Sequence, residues 1–272
     1  MNDEDCVQFL QWALPRLGLR WQGFRKVRRQ VCRRIARRIG QLGLADATAY
    51  RGRLESNKAE WQALAALCTI PISRFYRDAA VFDCLGRSVL PALAEAAHER
   101  GAEHLECWSA GCASGEEPYT LAIQWNLGLA ARFPGIGLRV LGTDVDAKLL
   151  ERARAACYRA SSIDALPPAW REHAFERRGA LFCLREDLRS NVELRREDLL
   201  AEPPQQEFDL ILCRNLAFTY FSEALERDAL DRLASRLRPG GALVVGIHEQ
   251  LPQPVSEFQA WPDCRAIFRR RS

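Results

Sequence analysis

Two adjacent carboxylates, at the end of a run of small residues, are the first place in this sequence where chemistry could be done. The short run 105–108 (LECW) leads into Ser109, Ala110, Gly111, Cys112, Ala113, Ser114 and Gly115. Glu116, Glu117 and Pro118 follow, ahead of a further apolar run. Pro118 fits a first helical turn, where a missing N–H costs little. A strand, a small-residue loop and a helix start form the seat a nucleotide-like ligand takes in an open α/β sheet. Small side chains let such a ligand approach the backbone. The loop has no G-x-x-x-x-G-K-[ST] pattern and no lysine, and carboxylates at a helix start repel a pyrophosphate. They suit a ligand carrying ammonium, sulfonium and hydroxyl groups, which describes S-adenosylmethionine better than NAD or ATP. For the glycines alone, an ordinary βα turn is the simpler reading.

A further acid changes that balance. Residues 138–144 (LRVLGTD) read as an apolar strand ending at Asp144, and residues 147–158 as the helix that follows. An acid at the end of the second strand is placed to take a ribose diol. A strand-end Asp is more often an N-cap, but Asp146 is the better capping residue here, which leaves Asp144 for the sugar.

The elements that must position these groups follow from composition and alternation. At 272 residues the chain has room for a large core in one or two domains. Its 48% hydrophobic and 27% charged residues make a globular composition, and no apolar run is long enough to cross a bilayer. The opening MNDEDCVQFL lacks a signal-peptide pattern, so a cytoplasmic location is expected. Ten cysteines are dispersed without a C-x-x-C pair, and they and the four histidines show no metal-ligand spacing. The cysteines read as reduced thiols in the core, and no metal is expected.

Strands and helices alternate over residues 105–272, which predicts an α/β fold with an open, doubly wound, mostly parallel sheet. Residues 208–215 (FDLILCRN) hold the clearest buried strand. A helix over 222–237 starts at Ser222. A turn at Arg238-Pro239-Gly240-Gly241 precedes a buried strand at 242–247, and a last strand is expected at 266–269. Short strands are expected at 182–184 and 192–194. Residues 161–189 read as a small inserted subdomain without an evident hairpin. Residues 71–104 connect this region to the N-terminal part, with Pro71 disfavouring helix at Ile70 and a helix over 79–100 interrupted near Pro91.

Residues 1–70 read as an all-helical domain, with helices at 7–17, 24–42, 47–54 and 59–67. In the second, Val27, Val31, Ile35, Ile39 and Leu42 recur at helical spacing and form one apolar stripe. Arg25, Lys26, Arg28, Arg29, Arg33, Arg34, Arg37 and Arg38 cover the rest. The net charge of +4 is mild, so this local concentration says more about partners than the total does. A solvated face is the plain reading, but so dense a cluster implies an acidic partner. Aromatic residues are not interleaved as a base-stacking surface requires, which favours an acidic protein over nucleic acid.

The segments SRFYRD (73–78), WSAGCASGEEPYT (108–120), GTDVD (142–146), VELRREDLL (192–200), FDLILCRN (208–215) and RPGGAL (238–243) occur in this order. Together they resemble the CheR-type chemotaxis receptor methyltransferases, and LESNKAEWQAL (54–64) carries the likeness into the N-terminal domain. The resemblance implies a Rossmann-like S-adenosylmethionine-dependent methyltransferase domain, a helical N-terminal domain and a small inserted β-subdomain. It also implies methylation of glutamate side chains on chemoreceptors. Arg77 matches an arginine lining the cofactor and active site, and Ser73 stands where the family usually has a threonine. Glu117 and Asp144 match cofactor-binding acids, and Gly111 belongs to the small-residue loop ahead of Glu117. Asp198 stands where a residue holds the adenine edge, with Leu199 beside it. Arg214 and Asn215 match the C-R-N that lines the pocket, and Tyr220 resembles a tyrosine near the acceptor. The sequence departs from the family pattern before Phe75, where an asparagine is absent; after Asn215, where one residue is added; and in the short inserted subdomain. All three departures fall on the acceptor side.

A glutamate acceptor is already ionised near neutral pH and needs no strong base. Arg77 would orient that carboxylate and Tyr220 would hydrogen-bond an acceptor oxygen. A hydroxyl or amine acceptor would need a base, for which Glu117 and His248 are the candidates. Three readings follow. They are a CheR-type protein carboxyl methyltransferase, a methyltransferase of the same fold acting on a small molecule or another protein, and a non-catalytic module binding an acidic partner through the arginines.

Overall fold

The computed structural model describes residues 2–70, 73–201, 203–253 and 255–271. The chain forms two units, Met1–Pro71 with Thr219–Glu226, and Ile72–Phe218 with Arg227–Ser272.

The first unit is helical: Asp3–Arg16, a single turn at Trp21–Phe24, Arg28–Gln41, Ala47–Ser56 and Lys58–Cys68. Polar side chains start three of these helices. Asn2 and Asp5 form a reciprocal capping box, Asp46 accepts the Ala49 N–H, and Asn57 accepts those of Ala59 and Glu60. The helix expected from residue 24 begins instead at Arg28. Arg25 and Lys26 would place cations at a helix N-terminus, against its dipole, and Val27 supplies no side-chain cap. Arg28 is neutralised there by Asp3 at 3.0 Å. Phe9, Leu10, Leu14, Val31, Ile35, Tyr50 and Leu64 form the core. Beside it the buried Glu60 accepts hydrogen bonds from Arg38 (2.8 Å) and the Tyr50 hydroxyl (2.8 Å). Residues 219–226 complete the unit. The Arg20 N–H donates to the Tyr220 carbonyl (2.8 Å), the Ser222 N–H donates to the Gly18 carbonyl (2.7 Å), and Arg20 pairs with Glu226 at 3.0 Å. Gly18 lies at φ +68, where a Cβ would come within 2.3 Å of Leu225. The expectation about Pro71 falls outside the described residues.

The second unit is built on strands β1 (His104–Ala110), β2 (Gly137–Asp144), β3 (Cys157–Tyr158), β4 (Phe175–Arg178), β5 (Leu181–Leu184), β6 (Val192–Arg196), β7 (Phe208–Leu212), β8 (Leu237–Val244), β9 (Phe258–Ala260) and β10 (Ile267–Arg270). Seven of them form one sheet in the order β6-β2-β1-β7-β8-β10-β9. The first five run parallel, and β10 is antiparallel to both its neighbours. The order reverses between β1 and β7, the switch point at which an open α/β sheet binds its ligand.

Four details differ from the sequence reading. Arg238-Pro239-Gly240-Gly241 is not a turn between elements. It is a bulge within β8, because Phe208 pairs with Leu237 while Leu210 pairs with Ala242. The inserted subdomain starts at Cys157 and contains a three-stranded antiparallel sheet, β3-β5-β4, with a β4–β5 hairpin. Residues 79–99 are not a linker. They run as helix, a π-helical turn (Leu85–Val89) and helix again, and they bury Val81, Phe82, Leu85, Val89 and Leu93 in the sheet unit's core. Pro91 is accommodated in the first turn of the last segment. Finally, six cysteines are joined as Cys6–Cys32, Cys84–Cys264 and Cys157–Cys183, which corrects the expectation of reduced thiols. Spacing along the chain carries no information about partners that topology brings together. Cys68, Cys107, Cys112 and Cys213 are free and buried. Among the described residues no helix is long and apolar enough to cross a membrane.

Candidate active site

The loop after β1 is pinned to the end of β2, since the N–H groups of Gly111 and Cys112 both donate to the Thr143 carbonyl (2.8 and 2.9 Å). Gly111 lies at φ +80, and a Cβ there would come within 2.5 Å of the Leu216 side chain, so only glycine fits. Asp144 holds the loop from the other side. One carboxylate oxygen accepts the Ala113 N–H and the other the Asp146 N–H, both at 2.9 Å. Asp146 caps the helix Ala147–Ala155, accepting from Lys148 and Leu149. Asp144 is thus not a capping residue, but neither is it idle. Burial pushes its carboxyl above the ordinary value, with the backbone N–H groups of Asp146 and Ala113 acting in the opposite sense. Each oxygen keeps a lone pair for a ligand hydroxyl. Val145, beside it, exposes 48% of its surface and offers an apolar face to a base.

The two carboxylates at the start of helix Glu116–Gln124 have separate fates. Glu116 is buried, accepts from the Ser114 hydroxyl at 3.2 Å, and keeps its other oxygen without a hydrogen-bond partner among the described residues. Glu117 faces the switch point. One of its oxygens accepts from the Ser109 hydroxyl (2.8 Å) and the other from Arg214 Nη1 (3.0 Å). Arg214 Nη2 donates to Asp78 Oδ2 (2.7 Å) and to the Arg77 carbonyl (2.8 Å), and the guanidinium stands 5.1 Å over the Phe82 ring. Arg77 Nη2 donates to Asn215 Oδ1 at 3.0 Å. Asn215 adopts a left-handed backbone (φ +56), and its N–H donates to Glu249 Oε2 (2.8 Å), which also takes the Gly246 N–H.

Arg77, Glu117, Arg214 and Asn215 are therefore one network, with Gly111 and Asp144 on the neighbouring strand ends. Asp78, Ser109 and Glu249 belong to it and were not singled out in the sequence. Asp78 was signalled only by standing beside Arg77; Glu249 carried no signal at all. Leu199 is buried, while Asp198 is exposed and accepts the N–H of Leu200, two residues on (2.9 Å). Ser73 is half-buried and His248 exposed. Tyr220 groups with the helical unit, its ring centroid 5.0 Å from that of Phe24.

The donor set fits an adenosyl ligand with an ammonium group. It offers a strand-end carboxylate for the diol, an apolar valine and a buried leucine for the base, a second carboxylate for the cation, and a glycine where a side chain would clash. Residues 72–266 match the family described as CheR methyltransferase, SAM binding domain, and residues 26–68 the one described as CheR methyltransferase, all-alpha domain. A chemotaxis protein methyltransferase of Salmonella typhimurium is 36% identical over 241 residues, which are 85% of this chain and 79% of that protein. Another, of Escherichia coli, is 34% identical over 232 residues, 82% and 76% of the two chains. An uncharacterized 104.1 kDa protein of Rhodobacter capsulatus is 36% identical over 231 residues, 84% of this chain but only 24% of that longer protein.

Proposed function

We propose that this chain, which belongs to the CheR methyltransferase family and is an S-adenosylmethionine-dependent methyltransferase, acts on a carboxylate of an acidic protein, with a chemoreceptor glutamate as the favoured acceptor. The cofactor supplies an electrophilic methyl group on its sulfonium. Asp144 takes the ribose hydroxyls on the lone pairs that Ala113 and Asp146 leave. Glu117 takes the ammonium. Asp198, Val145 and Leu199 attend the base, and Ser73 and Asn215 complete the wall. Arg77, steadied by Asn215, orients the acceptor carboxylate. The part given to Tyr220, a hydrogen bond to an acceptor oxygen, rests on the family likeness alone.

One observation carries the choice of acceptor. Glu117 is ion-paired with Arg214, hydrogen-bonded to Ser109 and given above to the ammonium of the cofactor, and His248 is exposed. Neither candidate base is poised to remove a proton, and an ionised carboxylate needs none removed. What remains for the protein is positioning and exclusion of water. The helix Arg28–Gln41 supports an acidic partner. Arg28, Arg34 and Arg38 are tied to Asp3, to the carbonyls of Leu67 and Thr69, and to Glu60, whereas Arg29, Arg33 and Arg37 form an exposed stripe at i, i+4, i+8.

The test is transfer of labelled methyl from the cofactor to purified chemoreceptor cytoplasmic fragments. Carboxyl methyl esters release their label as methanol in alkali. Alkali-labile label on a receptor glutamate is expected. Alkali-stable label, or label only in small molecules, would replace this acceptor with a nitrogen, a hydroxyl or a metabolite.

A further inference from the structure

Arg214 has only 2% of its side chain exposed and lies between two carboxylates, Glu117 at 3.0 Å and Asp78 at 2.7 Å. Its remaining described contacts, the Arg77 carbonyl and the Phe82 ring, bring no charge. Counting the whole network, Arg214 and Arg77 stand against Asp78, Glu117 and Glu249, a formal surplus of one negative charge. Were Asp78 absent, Arg214 would cancel Glu117 and the surplus would vanish. Arg214 is buried and both carboxylates are partly shielded, so such a surplus attracts a neighbouring cation more strongly than it does in water.

The backbone at Asp78 points the same way. Asp78 precedes the helix Ala79–Cys84, the place where an aspartate ordinarily caps, yet it makes no capping hydrogen bond. It also sits at φ 60, ψ 61, a left-handed conformation that aspartate adopts more readily than most residues but that still costs it more than glycine. Its side chain is turned to Arg214 instead. A forgone cap and a strained backbone, both at a charge pair, mark a residue held for its carboxylate.

We propose that Asp78 is a positioning residue whose charge offsets that of Arg214, so that Glu117 keeps an unneutralised carboxylate for the ammonium group of the cofactor. This rests on the reading of Glu117 given above.

The experiment is calorimetric titration of wild type and Asp78→Asn with two ligands. S-adenosylhomocysteine carries the ammonium group; methylthioadenosine shares the adenosine and thioether but lacks the amino-acid arm, ammonium and carboxylate together. Loss of a negative charge from the protein would favour the carboxylate, so a loss confined to the first ligand reports the ammonium. Asparagine keeps the size of the side chain and tolerates a left-handed backbone. The dissociation constant for S-adenosylhomocysteine is expected to rise tenfold or more, and that for methylthioadenosine to stay within twofold. An unchanged affinity for S-adenosylhomocysteine overturns the proposal. Equal losses for both ligands also overturn it, because they report damage to the whole pocket rather than a missing charge. If wild type binds neither ligand, the assignment of Glu117 falls first and this inference falls with it.

Discussion

The Asp144 carboxylate accepts the Ala113 N–H at 2.9 Å, so the acid that ends β2 also fixes the loop that follows β1. In the proposed function, ligand recognition and loop geometry therefore share one side chain.

The first prediction concerns its protonation. Burial raises the Asp144 carboxyl above the ordinary 3.8, and the proposed function has the diol held by the ionised form. Cofactor affinity should fall as pH drops, with a midpoint above 3.8. Asp144→Asn should weaken binding by about 1.5–3 kcal/mol, the worth of hydrogen bonds to a charged group, and should abolish that pH step. Folding carries the opposite sign. The stability from a raised carboxyl is fully present below the unfolded value and lost as pH rises through the folded one. Titration calorimetry as a function of pH, with melting of the free protein alongside, checks both. A wild-type binding profile with no such step would remove Asp144 from the ribose.

The exposed stripe gives the second. Arg29→Glu, Arg33→Glu and Arg37→Glu together should slow methylation of an acidic protein acceptor by an order of magnitude or more at low salt. Cofactor affinity should not change. The wild-type rate should decline as ionic strength rises, because the stripe acts on encounter. Steady-state rates at several salt concentrations, for both proteins, decide between a docking surface and a merely solvated one.

A third lies in the helical core. Tyr50→Phe deletes one hydrogen bond to Glu60 and should cost about 1–2 kcal/mol in denaturant unfolding. The Arg38 guanidinium, first, and then the Tyr50 hydroxyl hold the Glu60 carboxyl below its ordinary 4.5, outweighing burial. That stability is present above 4.5 and lost as pH falls through the lowered value. Glu60→Gln should therefore flatten the acid limb of the stability curve, and an unaltered limb would show that Glu60 contributes nothing there.

The fourth uses Cys84 and Cys264, which close a loop of 180 residues in sequence. Chain-entropy estimates put such a closure at about 5 kcal/mol. Cys84→Ser and Cys264→Ser should lower the melting temperature of the oxidised protein equally, since either removes the same bond. Unequal losses would point to packing at one site.

Much of the site was legible because its residues stand where strand periodicity ends. Asp144 closes an apolar strand, Gly111 and Glu117 follow another, and Arg214 and Asn215 end FDLILCRN, whose β7 portion is buried throughout. The bulge in β8 was not, because glycine and proline punctuate a turn and a bulge alike. Nor was the hairpin, because Glu176, Arg177 and Arg178 are all exposed and leave no alternation to read. Asp78 and Glu249 act through other side chains, and no pattern of spacing encodes that.

The helical unit also has a consequence for the order in which the protein can be made. Residues 219–226 supply Glu226 to Arg20 and the Tyr220 ring to Phe24, so the unit lacks parts until seven of the ten strands have been synthesised. A fragment stopped after the Lys58–Cys68 helix leaves the Arg20 guanidinium without Glu226 and the Gly18 carbonyl without the Ser222 N–H. During synthesis these helices are therefore made well before the segment that completes their unit, which is two separated stretches of chain rather than one.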